Sequence, residues 1–214
     1  MDITWLGHAC IRVRAQQTAV VMDPCDKDSG YDMGRPTADL ITVSNPHPHH
    51  SNTRGVRGSA LTVDGPGEYE IKGVQVTGVP TFLAPPVEDT PARLNTAFLL
   101  EAEELHLAHL GGLGAPLTPE QVEQLTVADI LITPIGGGGD FDVAAAARTV
   151  RALEPMVVIP VLYPTKGRGS GEDGPLQQFI SAVGVEPEAA ESRVTIQRRG
   201  LGETLRVQRL EPRG

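Results

Sequence analysis

The sequence predicts an α/β (α+β) chain forming one domain over residues 1–214, with sheet in its first half and mixed structure in its second. Three observations predict it. Short runs of apolar residues with turn residues between them fill the first half. Apolar residues at helical spacing, preceded by capping residues, appear only in the second half. A strand, helix and strand then follow one another near the end. At 214 residues and 40% hydrophobic content, the chain is long enough to bury a sizeable core.

The elements follow in order. DITWL (2–6), CIRVR (10–14), AVVMD (19–23), LITVS (40–44) and ALTVD (60–64) combine β-branched and aromatic residues in the short runs that strands use. YEIKGVQVTGV (69–79) is a hairpin turning at Lys72-Gly73. TAFLLEAEELHLAHL (96–110) holds two more strands. TPEQVEQL opens a helix with Thr118 as N-cap, Pro119 at the first helical position and Gln121 at the third. DILITPI (129–135), FDVAAAARTVRAL (141–153) and EPMVVIPVL (154–162) form a βαβ unit, and GPLQQFISAVGV (174–185) is a last helix. Pro164 to Gly174, rich in glycine and charge, is expected to be a mobile loop, and residues 193–210 a closing hairpin.

Charge and composition exclude several roles. A net charge of −9 with Lys and Arg scattered singly leaves no basic stripe for a phosphate backbone, so nucleic acid is not expected as a partner. No apolar run approaches the roughly eighteen residues of a membrane span, and the first residues do not read as a signal peptide, so no membrane partner and a cytoplasmic location are expected. Cys10 and Cys25 are too few for a disulfide framework and should be reduced.

The chemistry-bearing stretch is VSNPHPHHSN, Val43 to Asn52, with His47, His49 and His50 set around two prolines. Imidazoles in such density suit a transition metal. His8, Asp23 and Cys25 are further candidates to line the same site.

Seven fragments, WLGHAC, VVMDP, LITVSNPHPHHSN, DGPGEYEIKGVQVTGVPTF, HLGGLG, ITPIGG with DFD, and EPMVVIPVLYPT, together resemble the metallo-β-lactamase fold family, in particular its small cytoplasmic metal-dependent hydrolases. The resemblance implies a four-layer αββα sandwich. It also implies a site where the loops after Asp23, Ser44, Pro80, His109 and Val161 converge. Hydrolases of that family hold two metals through THxHxDH, a later His, the Asp of HLGDLG and the His of IPxHY. The metals make hydroxide available near neutral pH. Carried over position by position, the first motif's ligands fall on Asn45, His47, His49 and His50. The later His falls on Leu83, the Asp on Gly112 and the last His on Leu162. Leucine and glycine have no side-chain electron pair to donate, so the resemblance implies that the two-metal centre cannot form.

Each remaining residue carries a structural and a functional reading. Asp23 can cap the backbone of the histidine segment without a metal, and Asp142 sits where a helix N-cap belongs. His109 beside its glycine-rich turn reads as hydrogen-bonded structure, and His106 as an ordinary strand residue. His8 is open between the two. Cys25 is a conceivable nucleophile but reads better as a buried thiol. Gly136 to Gly139 lacks the following Lys of a phosphate loop and reads as a flexible loop. The favoured function is a non-catalytic member of the fold that binds a small molecule or protein in the former active-site cleft. No cofactor is then expected, and a homo-oligomer is compatible with the sequence. The alternatives are a hydrolase with one zinc or other transition metal on His47, His49 and His50, and a metal-free enzyme using Cys25 or His8.

Overall fold

A computed structural model describes residues 1–136, 141–165 and 174–213. Its first sheet begins with an antiparallel meander of β1 (Asp2–Gly7), β2 (Cys10–Ala15) and β3 (Thr18–Met22). Side-chain alternation sends Ile3, Trp5, Ile11, Val13, Val20 and Met22 into the main core. The opposite face carries Leu6, Cys10 and Val21, which cluster with Cys25, Tyr31 and Met33 of the following loop. β4 (Leu40–Thr42) and β5 (Leu61–Val63) then add in parallel. Between them lies α1, the single turn Pro48–Ser51 that carries His49 and His50 and is capped by His47.

The second sheet starts with the predicted hairpin, β6 (Gly67–Ile71) and β7 (Val74–Phe82), turning at Lys72 and Gly73. Both turn residues have positive φ, 49° and 79°, which matches the right-handed twist of the flanking strands. β8 (Leu94–Ala102) and β9 (Leu105–His109) form the second hairpin. Its turn places Glu103 and Glu104, rather than glycine, at φ 55° and 61°. Glu103 compensates by accepting from the Met1 ammonium and the Gln16 N–H of the first sheet, at 2.5 and 2.6 Å. α2 (Pro119–Leu125) opens with the full Thr118/Gln121 capping box. β10 (Ile130–Pro134), α3 (Val143–Leu153) and β11 (Val157–Val161) form the parallel crossover unit. β10 and β11 are buried at every position, which explains their continuous apolar sequence. α4 (Pro175–Val183) packs on α3 and ends at Gly184, φ 77°. The outcome is a mixed α/β architecture of two sheets with few helices, in line with the sequence reading.

One expectation is corrected. Residues 193–210 do not close as a hairpin: β12 (Val194–Thr195) pairs antiparallel with β1, whereas β13 (Arg206–Val207) pairs parallel with β11 in the other sheet. Each sheet edge offers unpaired backbone groups, and the two short apolar runs satisfy one edge apiece. Apolar alternation alone does not say which edge a strand will meet. The expected mobile loop lies outside the described residues from 166 to 173, and so do residues 137–139 of the glycine run.

Strands β3 to β5 run parallel, as do β9, β10, β11 and β13. The loops leaving the carboxyl ends of β3, β4, β9 and β11 hold Asp23, Cys25, the histidine stretch, Gly112 and Leu162, whereas His8 follows β1, Leu83 follows β7 and Asp142 follows β10. Such ends are where α/β sheets present ligand sites.

Candidate functional site

Asp23, directly after β3, organises the site from beneath. Its φ of 49° turns the chain sharply, and its N–H bonds to the Thr42 carbonyl at 2.9 Å. The fully buried carboxylate accepts the Ser44 N–H at 2.7 Å and the Ser44 hydroxyl at 2.6 Å, and it meets His50 Nδ1 at 2.6 Å. Burial alone would raise its pKa, but the His50 contact, the His109 imidazole and the Ser44 bond together hold it below the usual carboxylate range.

The histidine loop takes its shape from its prolines. Pro48 occupies the first helical position of α1, so its missing N–H costs nothing there. His47, held extended before it, caps the turn by accepting the His49 N–H on Nδ1 at 3.3 Å. Asn45 braces the entry: its Oδ1 accepts the His47 N–H at 3.1 Å, and its Nδ2 donates to Ser44 Oγ at 3.0 Å. His49 and His50 diverge to separate carboxylates, with His49 Nδ1 lying 2.7 Å from Asp26. His8, at φ 53° beyond β1, fits between them. Its ring centre is 5.3 Å from that of His49 and 5.0 Å from that of His50, and His47 lies 4.5 Å from His49 and 6.4 Å from His50. Four imidazoles therefore share one cluster. Burial, then the neighbouring His50 and His49, pushes His8 down to about 3, and His47 is lowered by the same kinds of cause.

Four positions matched to family ligands, Asn45, His50, Leu83 and Gly112, meet at one point. A β-carbon at Gly112 would lie 2.8 Å from Asn45 Nδ2, 3.1 Å from Leu83 Cδ2 and 3.3 Å from His50 Cε1. The side chains of Asn45 and Leu83 fill the space in front of Gly112. Leu162, φ 56°, bonds through its N–H to the His8 carbonyl at 3.3 Å. Among the described residues, no group of three or more His, Cys, Asp or Glu is placed to hold a metal ion.

The other candidates make contacts within the scaffold. His109 is buried, with Nε2 2.9 Å from the Ala9 carbonyl, and burial lowers its pKa. Asp142 caps α3 by accepting the Ala145 N–H at 2.7 Å. His106 lies between Glu101 and Asp129 at 3.5 and 3.6 Å. Cys10 and Cys25 are free, buried thiols in contact. Burial raises Cys10, and its hydrogen bond to Cys25 holds the latter lower.

Sequence reasoning missed several participants. Asp26 and Ser44 orient His49 and His50; Asp26 stands outside the seven family-like fragments, and Ser44, though inside the histidine stretch, marks only the start of its loop in the sequence. Buried Asn95 fixes the glycine turn, with Oδ1 accepting the Gly112 N–H and Nδ2 donating to Thr81 Oγ1 and the Leu110 carbonyl. Beside the cluster opens a cleft of about 570 Å³, bounded by Asn45, His47 and Leu83 on one side and by Asp64 and Arg93 on others. A smaller one of about 210 Å³ lies between His8, Tyr31 and Leu162.

Two sheets, few helices and a histidine loop at the carboxyl ends of parallel strands define a mixed α/β protein with its candidate site at the ends of the strands. The sequence profile of the β-lactamase superfamily domain matches residues 2–162, and the chain belongs to that superfamily. A UPF0173 metal-dependent hydrolase of Carboxydothermus hydrogenoformans is 28% identical over 213 residues, covering 86% of this chain and 94% of its own length. One from Methanopyrus kandleri is 24% identical over 201 residues, covering 77% and 85%. Among solved structures, a candidate Zn-dependent hydrolase of the metallo-β-lactamase superfamily from Thermotoga maritima superposes with a TM-score of 0.77 at 29% identity, covering 99% of both chains. An isothiocyanate hydrolase from Delia radicum gut bacteria superposes at 0.67 over 92% of this chain and 99% of its own, and at 12% identity it shows the fold alone.

Proposed function

We propose that this chain is a superfamily member without the two-metal centre, retained as a non-catalytic protein that binds a small molecule or a protein partner in the former active-site cleft. It acts as one cytoplasmic domain over residues 1–214. The observation that carries the reading is the filled space at Gly112. Residues without a metal-binding side chain, Leu83 and Gly112, meet there with Asn45, whose amide is already bonded to Ser44 Oγ and the His47 N–H. These residues do not fit two metals, because neither a glycine nor a leucine can bridge or terminate a metal centre. The relatives named metal-dependent hydrolases supply the fold and the ancestry of the cleft, and fold alone does not carry function.

The test is a hydrolysis screen on p-nitrophenyl esters, a lactone and bis-p-nitrophenyl phosphate, with the protein equilibrated in zinc, in manganese and in chelator. No turnover above buffer in any condition is expected. Zinc- or manganese-dependent turnover that disappears in His47→Ala would overturn the proposal.

That second outcome matches the alternative reading, a mononuclear hydrolase site on His47, His49 and His50. One feature favours it: His49 and His50 each place Nδ1 on a carboxylate, the arrangement that leaves Nε2 free and oriented for a metal.

A further inference from the structure

The larger cleft carries a chemical signature beyond its shape. Its apolar surface comes from Pro46, Pro66, Pro80, Leu83 and Leu94, and its volume of about 570 Å³ falls within the range of small-ligand sites. Two charged side chains of opposite sign line it. Asp64 follows β5 in the first sheet, and Arg93 precedes β8 in the second. Among the described residues, neither forms an ion pair with any partner, including the other, and neither has a side-chain hydrogen bond. Arg93 is anchored through its backbone, its carbonyl accepting the Leu83 N–H at 2.8 Å, and its charge reaches His47 on the cleft wall.

We propose that the cleft binds a zwitterion with an apolar body, a short apolar peptide with free ends, whose carboxylate pairs with Arg93 and whose ammonium pairs with Asp64. A guanidinium grips a carboxylate through two parallel hydrogen bonds, whereas an exposed carboxylate accepts an ammonium. A zwitterion has no net charge, so the overall charge of −9 does not repel it as it would an anion. The prolines and leucines take the side chains. This assignment rests on the binding-protein reading above, because it uses the cleft without a metal.

The test is calorimetric titration of the whole chain, in chelator and again in zinc, with L-leucyl-L-phenylalanine, its N-acetyl form, its C-terminal amide and the doubly blocked form. The free dipeptide is expected to bind at least tenfold more tightly than either singly blocked form. Arg93→Gln should abolish the preference over the amide while keeping that over the N-acetyl form, and Asp64→Asn should do the reverse. Both side chains are exposed, so neither substitution threatens folding. Equal affinity for all four peptides, no binding of the free dipeptide at millimolar concentration, or preferences unchanged by the substitutions would overturn the assignment. Mass spectrometry of the titrated sample separates the two readings. Cleavage of a bound dipeptide in zinc would sink the non-catalytic reading and leave the ligand class standing. Absence of both binding and cleavage would sink the ligand class alone.

Discussion

Replacing Asp23 by alanine tests whether one buried carboxylate holds the histidine loop. The substitution removes the acceptor for three donors, the Ser44 N–H, the Ser44 hydroxyl and His50 Nδ1, at 2.6 to 2.7 Å and at a site with no exposure. Leaving one partner of a buried, hydrogen-bonded charge without the other costs about 3–5 kcal/mol. The φ of 49° adds strain, since alanine tolerates left-handed backbone less well than aspartate. For a chain of this length each kcal/mol lowers Tm by roughly 2–4 °C, so a fall of about 6–20 °C is expected. Asp23→Asn keeps one acceptor and the backbone tolerance, and it should lose about half as much. Urea and thermal unfolding of the three proteins would measure this. A loss below about 1 kcal/mol in Asp23→Ala would refute the reasoning, because no buried network of three bonds to a charge is that cheap to break. The pH dependence has a defined sign. Asp23 is depressed when folded, so its contribution is fully present above the unfolded carboxyl value of about 3.9 and is lost as pH falls through the lower folded value.

His8 should remain neutral down to about pH 3, visible as ring nitrogen shifts in NMR that stay constant where an ordinary histidine titrates, near 6.5. Between those values the unfolded chain takes up a proton at this position and the folded chain does not, so His8→Asn should reduce the loss of stability on acidification. A His8 transition near pH 6 would contradict the burial argument. Gly112→Ala should destabilise by about 1 kcal/mol in urea unfolding, because its new methyl meets Asn45 and Leu83, and Leu83→Ala should relieve part of that cost when combined with it. Strict additivity of the two would mean that they do not touch. Asp142→Ala should cost about 1 kcal/mol through loss of the α3 cap and leave binding in the cleft unchanged.

The sequence was legible where local chemistry decides structure. Lys72-Gly73 marks a turn, Thr118 with Gln121 a cap, and the unbroken apolar runs of β10 and β11 two central strands. It was illegible where the choice depends on distant partners. Val194–Thr195 and Arg206–Val207 look like the arms of one hairpin, but each completes the edge of a different sheet. The same division holds at the site. His47, His49 and His50 stand out by type and density, and alignment to the family motif places Asn45, Leu83 and Gly112. Asp26 on His49, Asn95 under Gly112, and the opposed charges of Asp64 and Arg93 are juxtapositions made by folding, and none has a neighbour in sequence that announces it.

The central claim is that the chain holds no resident metal centre. Its most direct test is elemental analysis of metal per chain, in protein purified without an affinity tag, before and after dialysis against added zinc and manganese. The account predicts no stoichiometric metal in either state. One tightly held metal per chain, lost in His47→Ala, would contradict it and make the histidine cluster a working metal site.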